Sequence, residues 1–345
     1  MITKYEIDFL AVDAADAILI HFVDDKYGER VIAIDAGKYG DGEKVANFVK
    51  DRYHRKYINW AICTHCDDDH YGGFIKIIED YQENPQENPQ EGVRIGAFLL
   101  NDPGRYVTAD DYKRYQSTPN LREEIRSVYT LKRSDKNLLE IAKNAHIRIF
   151  DALYTKLAEC SLFDGTLAIL GPTPGYFKAL VPRMRHDAEP YEMPEVNDDD
   201  TRLVDSKCLS PRLDANKDDT SAHNQSSVIV LFKPNQEDKF VFMGDAGREA
   251  FNMMEVMPKY LIQNAFLLKV AHHGSPYNIN SDIINWINPD VAIVSAENSN
   301  RYFSPLVKNA LKRKGALVYS TIGGDNLWYN SGFDDREDYM LANPS

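Results

Sequence analysis

The sequence predicts an α/β protein of two similar halves, each a strand hairpin followed by strands that alternate with helices. Three observations lead there. Apolar, β-branched runs separated by turn residues recur at both ends of the 345-residue chain. Segments with helical spacing fall between the later strands of each set. Histidines and aspartates collect where those strands end, and sites in α/β folds form at strand ends and in the loops that follow.

Taken in order, residues 5–12 (YEIDFLAV) and 16–23 (DAILIHFV) form two strands joined by the short turn DAA at 13–15. Residues 29–37 (ERVIAIDAG) are a third strand that ends at Asp35 and Gly37. Residues 43–57 place Val45, Phe48 and Val49 on one helical face. The strand INWAICTH (58–65) runs into CDDDHYGG, and GGFIKIIEDYQ (72–82) continues as a helix. From about 85 to 220 the texture changes. A polar, proline-containing loop repeats QENP, a helical pattern covers 119–146, and an acidic loop covers 189–207. This region is expected to be a partly helical insertion. Strands return at 225–234 and 238–247, then a helix near 247–257 and a strand at 264–275. A strand at 289–298, a helix at 304–314 and a strand at 316–324 complete the pattern. One domain is expected over 1–335, with the insertion at about 85–220 and a tail at 336–345.

A hydrophobic content of 43% in a chain this long can bury a substantial core. No apolar run approaches the roughly 18 residues a membrane helix needs. Asp8, Asp13 and Asp16 interrupt the N-terminal apolar stretch, and no basic leader precedes it, so a signal peptide is not expected and the location is expected to be cytoplasmic. Four cysteines do not make a disulfide framework. A formal charge of −13 argues against general clinging to nucleic acid. It leaves open a nucleic-acid substrate at a metal centre, where cations supply the local field.

Five polar groups lie at strand ends: Asp35; His65, Asp67, Asp69 and His70; His223; Asp245; and His272 with His273. The second group puts four potential ligands into six residues, and imidazole with carboxylate suits Zn, Mn or Fe. The bland alternative is an acidic surface loop, and the other four groups weigh against it. Asp245 alone would read as a helix N-cap. Beside the other groups it reads as a carboxylate bridging two metals. Neighbouring side chains on extended backbone point oppositely, so one of His272 and His273 is expected to bind metal while the other contacts substrate or supports a ligand. His223, in a polar loop before the strand SVIVLF, is a weaker candidate. His21, His54, His146 and His186 have no such company.

Two decoys sit nearby. A redox C-x-x-C should open a helix, whereas Cys63 lies within the apolar strand WAICT, and Cys160 and Cys208 are too far apart to supply a second zinc pair. The G-x-x-G-x-G at 37–42 lacks the dinucleotide spacing and is a turn.

The segment THCDDDH (64–70) resembles the T-H-x-H-x-D-H motif of the metallo-β-lactamase-fold hydrolases, with Asp67 in place of the second histidine. Within that superfamily the chain is more similar to the soluble hydrolase domain of bacterial competence (DNA-uptake) channel proteins. That branch reads H-x-D-x-D-H-x-G-G, as in HCDDDHYGG here. Its FLDVGQGDAILI, LTGD, LKVGHHGS and N-N-x-S-L-V-L resemble FLAVDAADAILI, FMGD, LKVAHHGS and NQSSVIVL. The likeness covers about residues 5–80 and 222–322.

The resemblance implies a four-layer αββα sandwich and two divalent metal ions, Zn by default with Mn as the alternative. It implies His65, Asp67 and His223 on one ion, Asp69, His70 and His272 on the other, and Asp245 between them. It implies a metal-dependent hydrolase, a phosphodiesterase or nuclease using a metal-activated hydroxide that Asp69 or Asp245 orients. His273, Tyr302 and Lys269 are the candidates to stabilise charge or protonate the leaving oxygen. The substrate would be a phosphodiester, nucleic acid or nucleotide, with no membrane involved and the insertion as a lid or a surface for a protein partner. The alternatives are hydrolysis of a small ester, lactone or amide on the same site, or a non-catalytic partner protein that keeps the fold. The chain departs from the branch at DAA (13–15), where the branch has Gly-Gln-Gly, and at Ser304, which replaces a histidine.

Overall fold

Alternation along the strands decides which surfaces meet. In the strand Ala17–Asp24, Ile18, Ile20 and Phe22 enter one apolar cluster while Ala17 and Leu19 enter another. A strand apolar on both faces needs cover on both sides. The computed structural model, which describes residues 1–83, 92–114, 120–186, 209–296 and 303–333, shows that cover.

One seven-stranded sheet comprises β1 (Ile2–Phe9), β2 (Ala17–Asp24), β3 (Gly28–Ala36), β4 (Tyr57–Ile62), β5 (Arg94–Leu99), β6 (Arg148–Phe150) and β14 (Leu327–Ser331), ordered β14-β1-β2-β3-β4-β5-β6. The other comprises β7 (Ser161–Leu162), β8 (Leu167–Gly171), β9 (Ile229–Phe232), β10 (Phe240–Phe242), β11 (Leu267–Lys269), β12 (Val291–Val294) and β13 (Leu317–Ser320), ordered β13-β12-β11-β10-β9-β8-β7. The two sheets share one pairing scheme. Each has antiparallel pairs on one side, from β14 to β3 and from β7 to β10. Each then continues with parallel pairs, from β3 to β6 and from β10 to β13. The two halves expected from the sequence are these two sheets.

Between the sheets lies a core containing Ile7, Phe9, Ile20 and Ile34 from one side and Val230, Phe232, Phe240 and Phe242 from the other. Phe9 and Phe242 meet across it with ring centroids 6.2 Å apart. On the outer face of the first sheet, Val45 and Val49 of α1 (Asp41–Asp51) and Phe74, Ile75 and Ile78 of α2 (Asp68–Glu83) form a second core. Helices Ser281–Ile287 and Pro305–Lys314 cover the outer face of the second sheet. The layers are helix, sheet, sheet, helix, as expected.

Close packing fixes where α2 starts. A Cβ on Gly73 would lie 2.0 Å from the Ala36 carbonyl oxygen, so glycine is what lets α2 seat against the end of β3. This places Asp68, Asp69 and His70 in the first turn of the helix, beside the strand ends.

Three expectations change. The stretch 85–220 also carries β5, β6, β7 and β8, so it builds both sheets rather than standing apart from them. Its strands are two to six residues long, below the length at which alternation is legible. The helical pattern at 119–146 splits into Leu121–Arg126 and Leu138–Asn144, because Asn137 caps the second helix by accepting from the Leu139 and Glu140 amides at 3.0 and 3.3 Å. The helix expected at 247–257 is likewise two short ones, Arg248–Asn252 and Val256–Leu261. The acidic loop at 189–207 and the tail at 336–345 lie outside the described residues.

Candidate metal centre

The parallel strands deliver the site. His65 follows β4, Asp245 follows β10, and His272 and His273 follow β11. His70 comes from the first turn of α2, and His223 from the short helix Ala222–Gln225 just before β9. Two backbone bonds hold the converging loops together: Val228 N–H donates to the Thr64 carbonyl at 2.9 Å, and His272 N–H to the Gly244 carbonyl at 3.1 Å. Gly244 itself has φ +52 and packs against Thr64, where a side chain would be strained and crowded.

Asp245 is the hub. Its Oδ2 lies 3.4 Å from His70 Nε2, 3.8 Å from His65 Nε2, 3.7 Å from His272 Nε2 and 4.0 Å from His273 Nε2. The His65 and His70 rings sit with centroids 4.1 Å apart. On the other flank, His273 Nε2 is 3.8 Å from Asp69 Oδ2. These spacings are too long for hydrogen bonds, and donors each about 2.1 Å from one ion would lie about 3–4 Å apart. His65 Nε2, His70 Nε2 and Asp245 Oδ1 are buried with no hydrogen-bond partner. Leaving a buried polar atom unsatisfied costs about 1–3 kcal/mol, more if charged. His65, His70 and Asp245, each with such an atom and each offering a ligand atom within 4.8 Å of the others, fit a divalent cation.

Outer contacts aim the ligand atoms. Asp35 accepts from His70 Nδ1 at 2.7 Å, from the Thr64 amide at 2.8 Å and from Thr64 Oγ1 at 2.6 Å, so His70 presents Nε2 inward. His273 Nδ1 donates to the Ser295 carbonyl at 3.0 Å, which likewise turns its Nε2 inward. His272 Nδ1 is 3.0 Å from Asn278 Oδ1, and the Asn278 amide donates to Asp219 Oδ2 at 2.8 Å and to the Asp245 carbonyl at 2.9 Å. His223 donates from Nε2 to the Met184 carbonyl at 3.1 Å and sets Nδ1 2.9 Å from Asp67 Oδ1.

Charge follows this geometry. Burial opposes a charge on His70, yet the carboxylates of Asp245 and Asp35 hold its pKa well above the ordinary imidazole value. Burial is likewise outweighed at His223, pushed up to about 12 by Cys66 and Asp67, and at His272, pushed up to about 9 by Asp245 and Asp219. For His273 burial wins and the pKa falls. Burial alone would raise Asp245 and Asp67, but the surrounding imidazoles hold both well below the carboxylate range.

The structure brings together His65, His70 and Asp245, and also Asp69, His70 and His273. His273 rather than His272 therefore stands with Asp69 and His70. The expectation of opposed neighbours assumed extended backbone, but His272 and His273 have φ of 47 and 52 within a left-handed turn. His272 also turns its Nε2 to the hub, 3.7 Å from Asp245 Oδ2, with its Nδ1 engaged by Asn278. His223 reaches Asp67 but groups with Asp67 and Cys66 rather than with His65. Lys269 does not face an opening. Its fully buried Nζ donates to Asp16 and lies 3.4 Å from the Gly244 carbonyl. Tyr302 lies outside the described residues. Sequence reasoning missed Asp16 and Asp219, and reads Cys66 as a spacer between ligands with a thiol close enough for stray coordination. Asp16 opens a strand among apolar residues and Asp219 sits in a polar loop, so neither carries a local signal.

Among the described residues, no helix is long and apolar enough to cross a membrane. No family model matches the chain. Over 113 residues, 32% of this chain, the sequence is 33% identical to ComE operon protein 3 of Bacillus subtilis (strain 168), and the match spans 14% of that protein's length. Among solved structures, the metallo-beta-lactamase fold protein YhfI from Bacillus subtilis aligns over 94% of this chain and 99% of its own, at 10% identity and a TM-score of 0.43. A diphosphatase from the PhnP family aligns over 96% of this chain and 99% of its own, at 8% identity and a TM-score of 0.40. A long form RNase Z from yeast aligns over 85% of this chain and 37% of its own, at 12% identity and a TM-score of 0.37. With two sheets face to face between helical layers, and histidines and aspartates gathered where their parallel strands end, the chain is a four-layer αββα sandwich, the architecture that its resemblance to the metallo-β-lactamase-fold hydrolases implies.

Proposed function

We propose that the chain is a metal-dependent hydrolase of phosphodiesters, a phosphodiesterase or nuclease, with residues 1–335 acting as one hydrolase domain. The observation that carries this is the buried group of His65, His70 and Asp245, whose inward nitrogens and carboxylate oxygen lack partners. Two divalent cations, Zn by default with Mn as the carboxylate-favoured alternative, would supply a water activated near neutral pH and would neutralise charge at the attacked centre.

On this reading His65, Asp67 and His223 would hold one ion and Asp69, His70 and His273 the other, with Asp245 serving both. Asp35 and Ser295 keep His70 and His273 aimed by holding their Nδ1 protons. His272 stays out of the ligand set. Asn278 fixes its Nδ1, leaving Nε2 to carry the proton that a leaving oxygen takes up. Lys269 offsets the charge of Asp16 beneath the site rather than touching substrate.

A cleft of about 480 Å³ beside Asp68, lined by Lys38, Tyr39, Lys132 and Lys136, supports an anionic substrate. Lys132 Nζ lies 3.4 Å from Asp68 and Lys136 Nζ 2.8 Å from Glu79. The three lysines would raise the local concentration of a polyanion beside Asp68, which stands between Asp67 and Asp69 in the chain. The resemblance of HCDDDHYGG to the DNA-uptake branch supports the same substrate class.

The test is an assay of single- and double-stranded DNA, RNA and cyclic dinucleotides with Mn and with Zn, beside lactone and ester substrates. Metal-dependent phosphodiester cleavage that is abolished in an Asp69→Ala/His70→Ala variant is expected. Turnover of a lactone or ester, with no phosphodiester cleaved under any metal, would replace this proposal.

A further inference from the structure

Cys66 is the residue that the ligand motif leaves without a task. It stands between His65 and Asp67 and is 5% exposed. Its sulfur, an Asp67 carboxylate oxygen and a ring nitrogen of His223 all lie within 4.8 Å of one another. The contacts of His223 decide which nitrogen faces that group. Its Nε2 donates to the Met184 carbonyl at 3.1 Å, so Nδ1 points at Asp67 Oδ1, 2.9 Å away. Asp67 also reaches the hub, its Oδ2 3.7 Å from His65 Nε2.

Cys63 makes the contrast. It is fully buried, its thiol donates to the His65 carbonyl at 3.0 Å, and burial raises its pKa well above the ordinary thiol value. Both cysteines border the same apolar core, but the Cys63 thiol is engaged by a backbone carbonyl while Cys66 also meets a carboxylate and an imidazole.

We propose that Cys66, Asp67 and His223 form a thiolate-containing cation position beside the His65–His70–Asp245 group, selective for a thiophilic ion such as Zn, Co or Cd over Mn. Asp67 and His223, assigned above with His65 to the first cation, thereby gain a sulfur donor that the family motif does not supply. Sulfur, nitrogen and carboxylate oxygen together suit a four-coordinate zinc-type ion, with His65, 3.7 Å from Asp67 Oδ2, or water in the fourth position. Binding sends the thiol proton to solvent and leaves the sulfur as the ligand. The ion enters from the side of Asp67 and His223, whose side chains are 36% and 15% exposed. This position holds whether or not the site cleaves phosphodiesters, because none of its tests reads activity.

The experiment titrates the metal-free full chain with Co and records near-ultraviolet absorption. Wild type is expected to show a thiolate-to-cobalt charge-transfer band, Cys63→Ser to keep it, and Cys66→Ser to lose it. Zn affinity in Cys66→Ser is expected to fall at least tenfold with Mn affinity unchanged, and circular dichroism checks its fold. A band that persists in Cys66→Ser, or is absent from wild type, overturns the proposal. Zn-edge X-ray absorption of the wild-type chain needs no variant. A sulfur scatterer at about 2.3 Å supports the position, and a shell of nitrogen and oxygen alone overturns it.

Discussion

At His70 the contacts on the two ring nitrogens differ sharply: Nδ1 is bound to Asp35 and Nε2 meets only the 3.4 Å approach of Asp245. Asp245 and Asp35 raise its pKa well above the ordinary imidazole value, and Cys66 and Asp67 push that of His223 to about 12, so both shifts favour the protonated ring. A cation must displace those protons. The sign follows: raising the pH removes the competitor and tightens binding. An ordinary imidazole site gains little above its pKa of about 6.5. Here the apparent affinity is expected to keep rising from pH 6 to pH 9, roughly tenfold per pH unit for each proton displaced. Competition titration with a chelating indicator across that range checks it, and a plateau above pH 7 would contradict it. At this scale most of the site was legible. His65, Asp67, Asp69 and His70 stand within six residues, and Asp245 and the histidine pair follow apolar runs. That His272 and His273 both bring Nε2 within 4.0 Å of Asp245 was not legible, because positive backbone angles allow it and nothing in AHHGS signals them.

At the level of elements, α2 carries the most consequence. It brings His70 to the end of β3 only because Gly73 leaves room for the Ala36 carbonyl. Alanine in a helix interior ordinarily gains about 1 kcal/mol over glycine. At Gly73 the contact reverses that preference, and Gly73→Ala is expected to destabilise the chain by about 1–3 kcal/mol and to weaken metal binding as the helix shifts. Thermal melting and metal titration of the variant check both effects. Elements with a clean signal, β2, β3, α1 and α2, were readable from the sequence. Elements defined by their partners were not. β14 was missed because LWYNS is mostly half-exposed and mixed in polarity, and its pairing with β1 is what makes it a strand. Asn137 divided an apparently continuous helix by capping its second part.

Across the whole molecule, the site straddles the two sheets. Asp35, His65 and His70 belong to the first half, Asp245 and His273 to the second. Cations bound there would tie the sheets together and stabilise the native state by mass action, about 2.7 kcal/mol per site at a hundredfold excess over Kd. Removing metal with a chelator is expected to lower the melting temperature by several degrees, and restoring Zn to reverse it. Calorimetry with and without chelator checks this, and an unchanged transition would place the ions away from the seam. The repeated pairing scheme, antiparallel then parallel in each sheet, was legible as two similar halves, but their registry across Phe9 and Phe242 was not.

That division of ligands sets an order of events during folding. Each half can close its own hairpins early, since those contacts are local, while bringing Asp245 beside His65 joins residues far apart in the chain. Cation capture at the proposed site is therefore expected to be a late step that reports docking of the two sheets. A refolding chain would regain most of its secondary structure before it regains any competence to hold metal, and misdocked molecules would stay chemically silent.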